Sequence, residues 1–234
     1  MTPTISVVIP MRDGARYVSA ALDSIAGQDL PVTDVVVVDD GSTDDGPRVA
    51  AGHPLRPQVA SIPASGIGAA RNRGIVAVRS EFIAFLDSDD LWPTDHCRVL
   101  LEPLLRDPGL AMAFGHAAQF ASPDIPTAEQ ATMHIPAAPM PAIVSGAMLA
   151  RRSVFERVGL FDPELRVGEF IHWLLRASDA GERHVVLPDV VLRRRHHPGN
   201  IGRVRGDDRR IDYVRAIRDH MLRRRAAAGR DPAP

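Results

Sequence analysis

Two short apolar runs that each end in a cluster of acids restrict the possible folds of this chain more than any other feature. Residues 35–38 are four consecutive valines followed by Asp39 and Asp40, and residues 82–86 lead into Asp87-Ser88-Asp89-Asp90. An unbroken apolar run of this length is typical of a strand that is covered on both faces. Strands of this kind belong to parallel sheets with helices on both sides, so the pattern predicts an α/β fold.

The rest of the first 110 residues alternates between strand and helix patterns, as a parallel sheet requires. The predicted strands cover residues 4–9, 35–38, 58–62 and 82–86. The predicted helices cover residues 17–25, 65–78 and 94–105. Asp13 stands where it could cap the first helix.

The second half is less regular. A long strand is predicted over residues 111–120, a helix over 168–180, one or two strands over 184–195 and a basic helix over 207–225. Residues 143–149 are apolar again, whereas residues 122–141 contain five prolines and predict an irregular loop. A loop this long in a compact domain is usually functional. Because no linker divides the chain, we expect residues 1–234 to form a single domain.

Charge and cysteine content exclude several classes of protein. The 234 residues contain 28 Lys and Arg against 29 Asp and Glu, a balance that gives no overall field to hold a nucleic acid. The single cysteine, Cys97, excludes a disulfide framework and a Cys-rich zinc site. No signal peptide is recognisable, and no stretch reaches the roughly 20 apolar residues of a transmembrane helix. We therefore expect a cytoplasmic protein with no transmembrane segment and no nucleic-acid partner.

The two acid clusters predict a cation site. The carboxyl ends of parallel strands meet at one edge of a sheet, which is where α/β proteins bind ligands. Carboxylates packed so densely repel one another unless they are solvated or paired with a cation or hydrogen-bond donors. Oxygen ligands suit Mg²⁺ or Mn²⁺, which bind through one or two carboxylates plus substrate phosphates. The alternative is that each cluster is a solvated loop before the next helix.

The segment from Gly66 to Gly74 is a near match to a dinucleotide-binding fingerprint. Arg71 occupies the position where that fingerprint requires its third small residue. A helix start that donates to a phosphate, with Arg71 and Arg73 supplying charge, is the better interpretation. The alternative is two arginines on a helix surface.

Five motifs in order within residues 4–105 resemble the family 2 glycosyltransferases of GT-A fold. They are SVVIP at 6–10, LDSI at 22–25 with Gln28, VVVDDGSTD at 36–44, ARNRG at 70–74 and FLDSDDLW at 85–92. The resemblance implies a GT-A, Rossmann-like and mostly parallel sheet flanked by helices. It assigns residues 1–110 to nucleotide-sugar binding and residues 111–205 to the acceptor side, with a basic helix and tail over 206–234.

The same resemblance implies roles around the donor, a nucleoside-diphosphate sugar of UDP, GDP or dTDP type. Asp40 would face the nucleobase, near the backbone of Pro10 to Arg12, and Arg71 would lie near the base or the diphosphate. The family usually has Asn where this chain has Pro10, so one side-chain contact is lost.

A divalent metal is part of what the resemblance implies. Asp87-Ser88-Asp89 corresponds to the DxD element, with Asp89 as the principal protein ligand of a Mn²⁺ or Mg²⁺ ion that bridges the diphosphate. The RRRHHPGN run at 193–200 is similar to the family's closing element. In that element His197 would face the diphosphate or the metal, with Arg195 and Asn200 in support.

The acceptor side contains the clearest departure from the family. The motifs at 145–162 and 168–176 are similar to acceptor-side elements, but Phe170 stands where the family usually has its catalytic aspartate. Phenylalanine cannot take a proton, so either Glu169 or His172 is the general base, or the enzyme is impaired. We favour Glu169; the alternatives are that Glu169 only caps a helix and that His172 lines the pocket or packs.

The resemblance therefore implies an inverting, metal-assisted single displacement that moves a hexosyl or other glycosyl group. The acceptor is unknown and could be a sugar, a lipid-linked molecule, a small molecule or a peptide. A catalytically weak nucleotide-sugar-binding protein, a nucleotidyltransferase and a dinucleotide oxidoreductase are the alternatives.

Overall fold

The computed structural model describes residues 3–133, 135–165 and 167–200, together with residues 218, 220 and 221. The strands in this part of the chain are β1 Ile5–Met11, β2 Asp34–Asp40, β3 Gln58–Ile62, β4 Phe82–Phe85, β5 Leu110–Ala121, β6 Met140–Pro141, β7 Met148–Arg151 and β8 Arg183–His196. The helices are α1 Val18–Ala26, α2 Gly46–Ala51, α3 Ile67–Ala77, α4 His96–Arg106, α5 Thr127–Gln130, α6 Arg152–Val158 and α7 Glu169–Asp179.

All eight strands belong to one sheet, in the order β3-β2-β1-β4-β7-β5-β6, with β8 paired to β5. Strands β1 to β4 run parallel to one another, and β8 runs parallel to β5. Strand β7 is antiparallel to both of its neighbours, β4 and β5. The predicted α/β fold with a mostly parallel, helix-flanked sheet is confirmed, and the antiparallel β7 is an addition that the sequence did not reveal.

The valine run explains how the sheet is covered. Successive side chains of a strand point to opposite faces, so Val35 and Val37 join one buried cluster with α1 and α4. Val36 and Val38 join the other cluster, with α3, α6 and α7. All four valines are buried, and each contributes about 1.5 kcal/mol or more from apolar burial. The prediction that β2 is covered on both faces is confirmed.

Several elements of the structure differ in detail from the prediction. The proline-rich segment 122–141 is mostly irregular, as expected, but includes the single turn α5 and the two-residue strand β6. The apolar segment 143–149 forms a short 3-10 turn at Ser145–Ala147 and the start of β7. Segment 184–195 forms one strand, β8. The predicted helix over 207–225 lies outside the described residues except at 218, 220 and 221.

The prediction that Asp13 caps α1 is wrong. The carbonyl of Gly14 accepts from the N–H groups of Tyr17 and Val18 instead. Asp13 adopts a left-handed φ of 52°, and its carboxylate accepts from the backbone N–H of Thr43 at 2.7 Å. Asp13 therefore connects the loop after β1 to the loop after β2, at the carboxyl edge of the sheet.

No helix in the described part of the chain combines the length and the apolar character needed to cross a membrane.

Candidate active site

The two predicted acid clusters lie at the same edge of the sheet. Strand β1 pairs with β2 on one side and with β4 on the other, all three in the same direction. The acids that follow β2 and β4 therefore flank the end of β1. This is the arrangement expected for a ligand site at the carboxyl ends of parallel strands.

The acids that end β2 bind backbone donors in the next loops. Asp40 is 5% exposed, and its Oδ1 accepts from the N–H of Ser65 at 2.6 Å, while Gly66 donates to its Oδ2 at 2.9 Å. Asp39 accepts from the N–H of Ser42 at 3.0 Å. These donors stabilise both carboxylates, and Asp40 fixes the entry into α3 beside the expected base pocket.

Pro10 and Arg12 lie where the chain leaves the sheet. On one side, Pro10 pairs with Val38 of β2. On the other side β4 has already ended, because Leu86, which follows β4, donates to the carbonyl of Val8, two residues before Pro10. The missing N–H of proline is tolerated at such a position. Arg12 is exposed, with Nε 4.0 Å from Asp13.

Arg71 is a buried cation between two acids. Its side chain is 3% exposed, Nη2 donates to Asp87 Oδ1 at 2.8 Å and Nη1 donates to Glu169. Burial alone would lower the pKa of Arg71, but the carboxylates of Asp87 and Glu169 outweigh that effect and raise the pKa. The alternative of a surface arginine is therefore wrong for Arg71, whereas Arg73 is exposed.

Helix α7 contains both candidate bases and Phe170, but the bases lie on a different face of the helix from Phe170. Gly168, with a left-handed φ of 87°, starts the helix, so Glu169 lies in its first turn, 5% exposed. His172, 9% exposed, is three residues later and therefore on the same face as Glu169.

Phe170 lies in the aromatic core. Its ring centroid is 6.3 Å from those of Phe114 and Trp173 and 6.5 Å from that of Phe161. Its side chain is thus part of the packing between α7 and the sheet. Phe170 therefore has a structural role in this protein.

The three acids that follow β4 bind different partners. Asp87 binds Arg71, while Asp89 Oδ2 lies 2.9 Å from His197 Nε2 and accepts from Asn200 Nδ2 at 3.1 Å. Asp90 is buried and accepts from the N–H of Arg195 at 2.7 Å. Burial raises the pKa of Asp90 well above its usual value, and the charges of Asp89 and Asp87 add to that effect.

Ser88 lies against the loop that follows β1. A Cβ added to Gly14 would stand 3.2 Å from Ser88 Oγ and closer still to Met11. The glycine therefore allows that loop to approach the Asp87–Asp89 segment closely.

Arg195 is a buried residue that contacts the acidic segment after β4. It is 7% exposed, its Nε donates to the carbonyl of Asp89 at 2.8 Å, and its guanidinium lies 4.8 Å from the ring of Tyr17 and 4.9 Å from that of Phe120. The Arg195 guanidinium is thus enclosed between two aromatic rings and the segment after β4, and its supporting role toward the donor stays a prediction.

The residues present suit a divalent metal that takes some of its ligands from the protein and the others from a substrate. Within the described residues, no three or more His, Cys, Asp or Glu side chains form a ready-made metal cluster. Asp89 and His197 offer one carboxylate and one imidazole, with side chains 27% and 13% exposed. These donor types suit Mn²⁺ or Mg²⁺ when phosphate oxygens complete the coordination.

Sequence reasoning missed two residues that organise the site. Asn72 forms paired hydrogen bonds with the backbone of Phe161, at 2.8 and 2.9 Å, and so holds α3 to the segment before α7. Its position inside the ARNRG motif was the available signal. Tyr17 contacts His197 and Arg195, and no local pattern pointed to those contacts.

Solved structures resemble this architecture. S. aureus TarS superposes with a TM-score of 0.70 at 21% identity, covering 94% of this chain and 65% of TarS, and it has also been solved with UDP and with UDP-GlcNAc. Glucosyl-3-phosphoglycerate synthase from Mycobacterium tuberculosis, solved with Mn²⁺, UDP and phosphoglyceric acid, gives a TM-score of 0.60 at 23% identity, over 84% of this chain and 72% of that chain. At these identities the similarity concerns the fold.

Sequence relatives extend the similarity. The succinoglycan biosynthesis protein ExoO of Rhizobium meliloti is 31% identical over 97% of this chain and 70% of ExoO. EpsH of Bacillus subtilis is 34% identical over 51% of this chain, but the match spans only 35% of EpsH. The model of the family described as Glycosyl transferase family 2 matches residues 6–159. This chain therefore belongs to glycosyl transferase family 2.

Proposed function

We propose that this protein transfers a glycosyl group from a nucleoside-diphosphate sugar to an acceptor hydroxyl in a metal-assisted, inverting single displacement. The observation that carries the proposal is the pairing of Asp89 with His197, 2.9 Å apart although 108 residues separate them. Two residues before Asp89, Asp87 binds Arg71, and Arg71 in turn binds Glu169. One edge of the sheet thus holds a metal-binding pair, a buried cation and a candidate base.

The donor would lie over the carboxyl ends of β1 and β2. Asp40 and the backbone of Pro10 to Arg12 would border the nucleobase. UDP is the first nucleotide to test, since structural neighbours were solved with UDP, and GDP and dTDP are the alternatives.

Asp89 and His197 would hold Mn²⁺ or Mg²⁺, with Asn200 fixing the Asp89 carboxylate. A divalent metal supplies stabilisation of the negative charge that develops on a departing diphosphate. Arg71 would orient Asp87 beside that position, since its Nη2 donates to Asp87 Oδ1 at 2.8 Å.

Glu169 is the proposed general base. Arg71 engages Oε1, and we assign Oε2 to the acceptor hydroxyl. The hydroxyl proton passes to Glu169, the acceptor oxygen forms a bond to the anomeric carbon, and the bond from that carbon to the diphosphate oxygen breaks on the opposite face. This sequence inverts the anomeric configuration.

A catalytically weak nucleotide-sugar-binding protein is the second candidate. Phe170 is part of the core, and Glu169 is buried with one of its carboxylate oxygens bound to Arg71. This candidate predicts donor binding without transfer to any acceptor.

The acceptor is proposed from a relative. ExoO is named for succinoglycan biosynthesis, which favours a growing polysaccharide over a small molecule or peptide as the acceptor. The cytoplasmic location stays a prediction from the cysteine content.

A thermal-shift screen of UDP, GDP, dTDP and CDP, with and without Mn²⁺, tests the proposal. A ligand that binds only the folded protein stabilises it by about 2.7 kcal/mol at 100 times its Kd, so one nucleotide should raise the Tm when Mn²⁺ is present. Asp89→Ala should abolish the shift and the metal-dependent hydrolysis of the matching nucleotide sugar.

Asp23→Ala is the matched control, because Asp23 lies on α1 with a side chain 72% exposed. An Asp89→Ala protein that keeps the full Mn²⁺-dependent shift would contradict the proposal. If the wild-type protein binds the nucleotide with Mn²⁺ as expected but transfers no sugar to any acceptor, the second candidate is favoured.

A further inference from the structure

We propose that Tyr17 is a positioning residue that sets the orientation of the His197 imidazole toward the metal. The inference rests on the proposed function, because it concerns the metal-binding pair of that site. Tyr17 precedes α1 and is not part of the five motifs quoted in the sequence analysis.

The Tyr17 ring lies against the His197 ring, with centroids 4.8 Å apart and planes inclined by 42°. Two other contacts hold His197. Its Nε2 lies 2.9 Å from Asp89 Oδ2, and its backbone N–H donates to Asn200 Oδ1 at 2.6 Å. Asp89 thus fixes one ring atom and Asn200 fixes the backbone, so Tyr17 supplies the contact with the face of the ring.

Tyr17 is itself held from several sides. The guanidinium of Arg195 lies 4.8 Å from its ring centroid and that of Arg16 lies 5.5 Å away. Its hydroxyl is 3.4 Å from Asp124 Oδ2, and its backbone N–H donates to the Gly14 carbonyl. A ring restrained by the loop after β1 and by the end of β8 can hold a fixed position against His197.

The face contact matters because an imidazole rotates easily about its outer torsion, which has broad minima. One hydrogen bond to Asp89 leaves that rotation possible. Residues that orient a metal-binding histidine typically change metal affinity 10- to 100-fold when they are removed. Loss of the Tyr17 ring should therefore weaken metal binding without removing any metal ligand.

The ring, not the hydroxyl, carries this role. A 3.4 Å separation between the hydroxyl and Asp124 is long for an O–H···O hydrogen bond. Tyr17→Phe should therefore behave like wild type, whereas Tyr17→Leu removes the flat surface and should not.

The first experiment measures the affinity for Mn²⁺ in the presence of UDP by titration calorimetry. We expect Tyr17→Phe to stay within about twofold of wild type and Tyr17→Leu to bind about tenfold more weakly. In a double-mutant cycle, Tyr17→Leu should add no further loss when His197 is already Ala, because the two changes act through one contact. An unchanged affinity of Tyr17→Leu, or additive losses in the cycle, would overturn the inference.

Phe120→Leu is the matched control, because Phe120 contacts the same Arg195 guanidinium at 4.9 Å. It should leave the Mn²⁺ affinity unchanged. An equal loss in Phe120→Leu and Tyr17→Leu would show that the effect runs through Arg195, which contradicts the proposed role.

The second experiment needs no metal. The ring-proton NMR signals of His197, identified by their absence in His197→Ala, should carry a ring-current shift in wild type and Tyr17→Phe that disappears in Tyr17→Leu. If wild type binds no Mn²⁺ with UDP, the proposed function fails, yet these shifts still decide whether Tyr17 orients His197. Identical His197 shifts in all three proteins would disprove the contact.

Discussion

Arg71 and Glu169 form an ion pair in the protein interior, although 98 residues separate them in the chain. Their side chains are 3% and 7% exposed, and the second nitrogen of Arg71 binds Asp87 at 2.8 Å. Removing two charges from water costs several kcal/mol per ion before their attraction offsets it. One cation thus joins the acidic segment after β4 to the first turn of α7, and in the proposed function it links the donor side of the site to the acceptor side.

Glu169→Gln should separate catalysis from binding. The amide oxygen of the introduced glutamine can still accept from Arg71, but the side chain no longer takes a proton. We expect the transfer rate to fall by about 10²- to 10⁴-fold with donor affinity nearly unchanged, which is the usual effect of losing a general base. Transfer kinetics and calorimetric UDP binding measure the two quantities.

Glu156→Gln on α6 is the control, since that side chain is 61% exposed and pairs with Arg152. It should not alter either quantity. Full transfer by the Glu169→Gln protein would show that the proton acceptor is another group, and the same assay on His172→Gln would then examine the remaining candidate.

Arg71→Met should be strongly destabilising. It leaves two carboxylates, Asp87 and Glu169, without their shared cation, and removing one partner of a buried ion pair typically costs about 3–5 kcal/mol. Urea denaturation without ligand measures the free energy of unfolding. Arg73→Met, at an exposed position of the same helix, should change it by no more than about 0.5 kcal/mol. Similar values for the two variants would mean that the Arg71 pairs contribute little to stability.

Phe170→Asp restores the residue type usual in the family but should not restore a base. The new carboxylate would replace a ring packed against Phe114, Phe161 and Trp173. Loss of a buried phenylalanine side chain costs about 3–5 kcal/mol, and an unpaired buried carboxylate adds to that cost. Urea denaturation should show this loss, and transfer assays should show no gain.

Phe170→Leu keeps an apolar side chain at the same position and should retain most of the stability. A Phe170→Asp protein that is as stable as Phe170→Leu and transfers faster than wild type would show that the position is accessible to the acceptor. In that event the assignment of Glu169 as base is wrong.

The sequence predicted the part of the fold that depends on local patterns. Four valines indicate a strand covered on both faces, and parallel strands place the acids after β2 and β4 at one edge. These inferences need only strand direction and side-chain alternation. The proposed roles of Pro10, Arg12 and Ser88 stay predictions, because no described contact tests them.

The remaining features depend on contacts between distant residues. The N–H of Arg195 binds Asp90 across 105 residues, and Arg71 reaches Glu169 across 98. Neither partner can be chosen from spacing. The register of β8 beside the segment after β4 decides the first contact, and the placement of α7 next to α3 decides the second. The error over Asp13 has the same origin: its carboxylate binds Thr43 in a loop 30 residues away rather than the adjacent helix.

Gly74→Ala tests how closely α3 approaches β1. Alanine is favoured over glycine by about 1 kcal/mol inside a helix, but a Cβ at this position would lie 2.2 Å from Val8 Cγ1. Overpacking a core costs about 1–3 kcal/mol, so we expect a net loss of stability by urea denaturation. Gly27→Ala is the control, because its nearest neighbour would be 3.4 Å away. A stabilised Gly74→Ala protein would mean that α3 shifts freely.

His96→Phe should reduce the loss of stability in mild acid. His96 stacks on Trp92 at 3.7 Å, and burial lowers its pKa from 6.5 to about 3. Between those values the unfolded chain binds a proton that the folded protein does not, so stability present at pH 7 is lost as the pH falls, by about 1.4 kcal/mol per unit. Between pH 7 and pH 5, urea denaturation should show wild type losing about 2 kcal/mol more than His96→Phe. Asp90, whose pKa burial raises, is common to both proteins and cancels in this difference, so equal losses would show that His96 is protonated in the folded state.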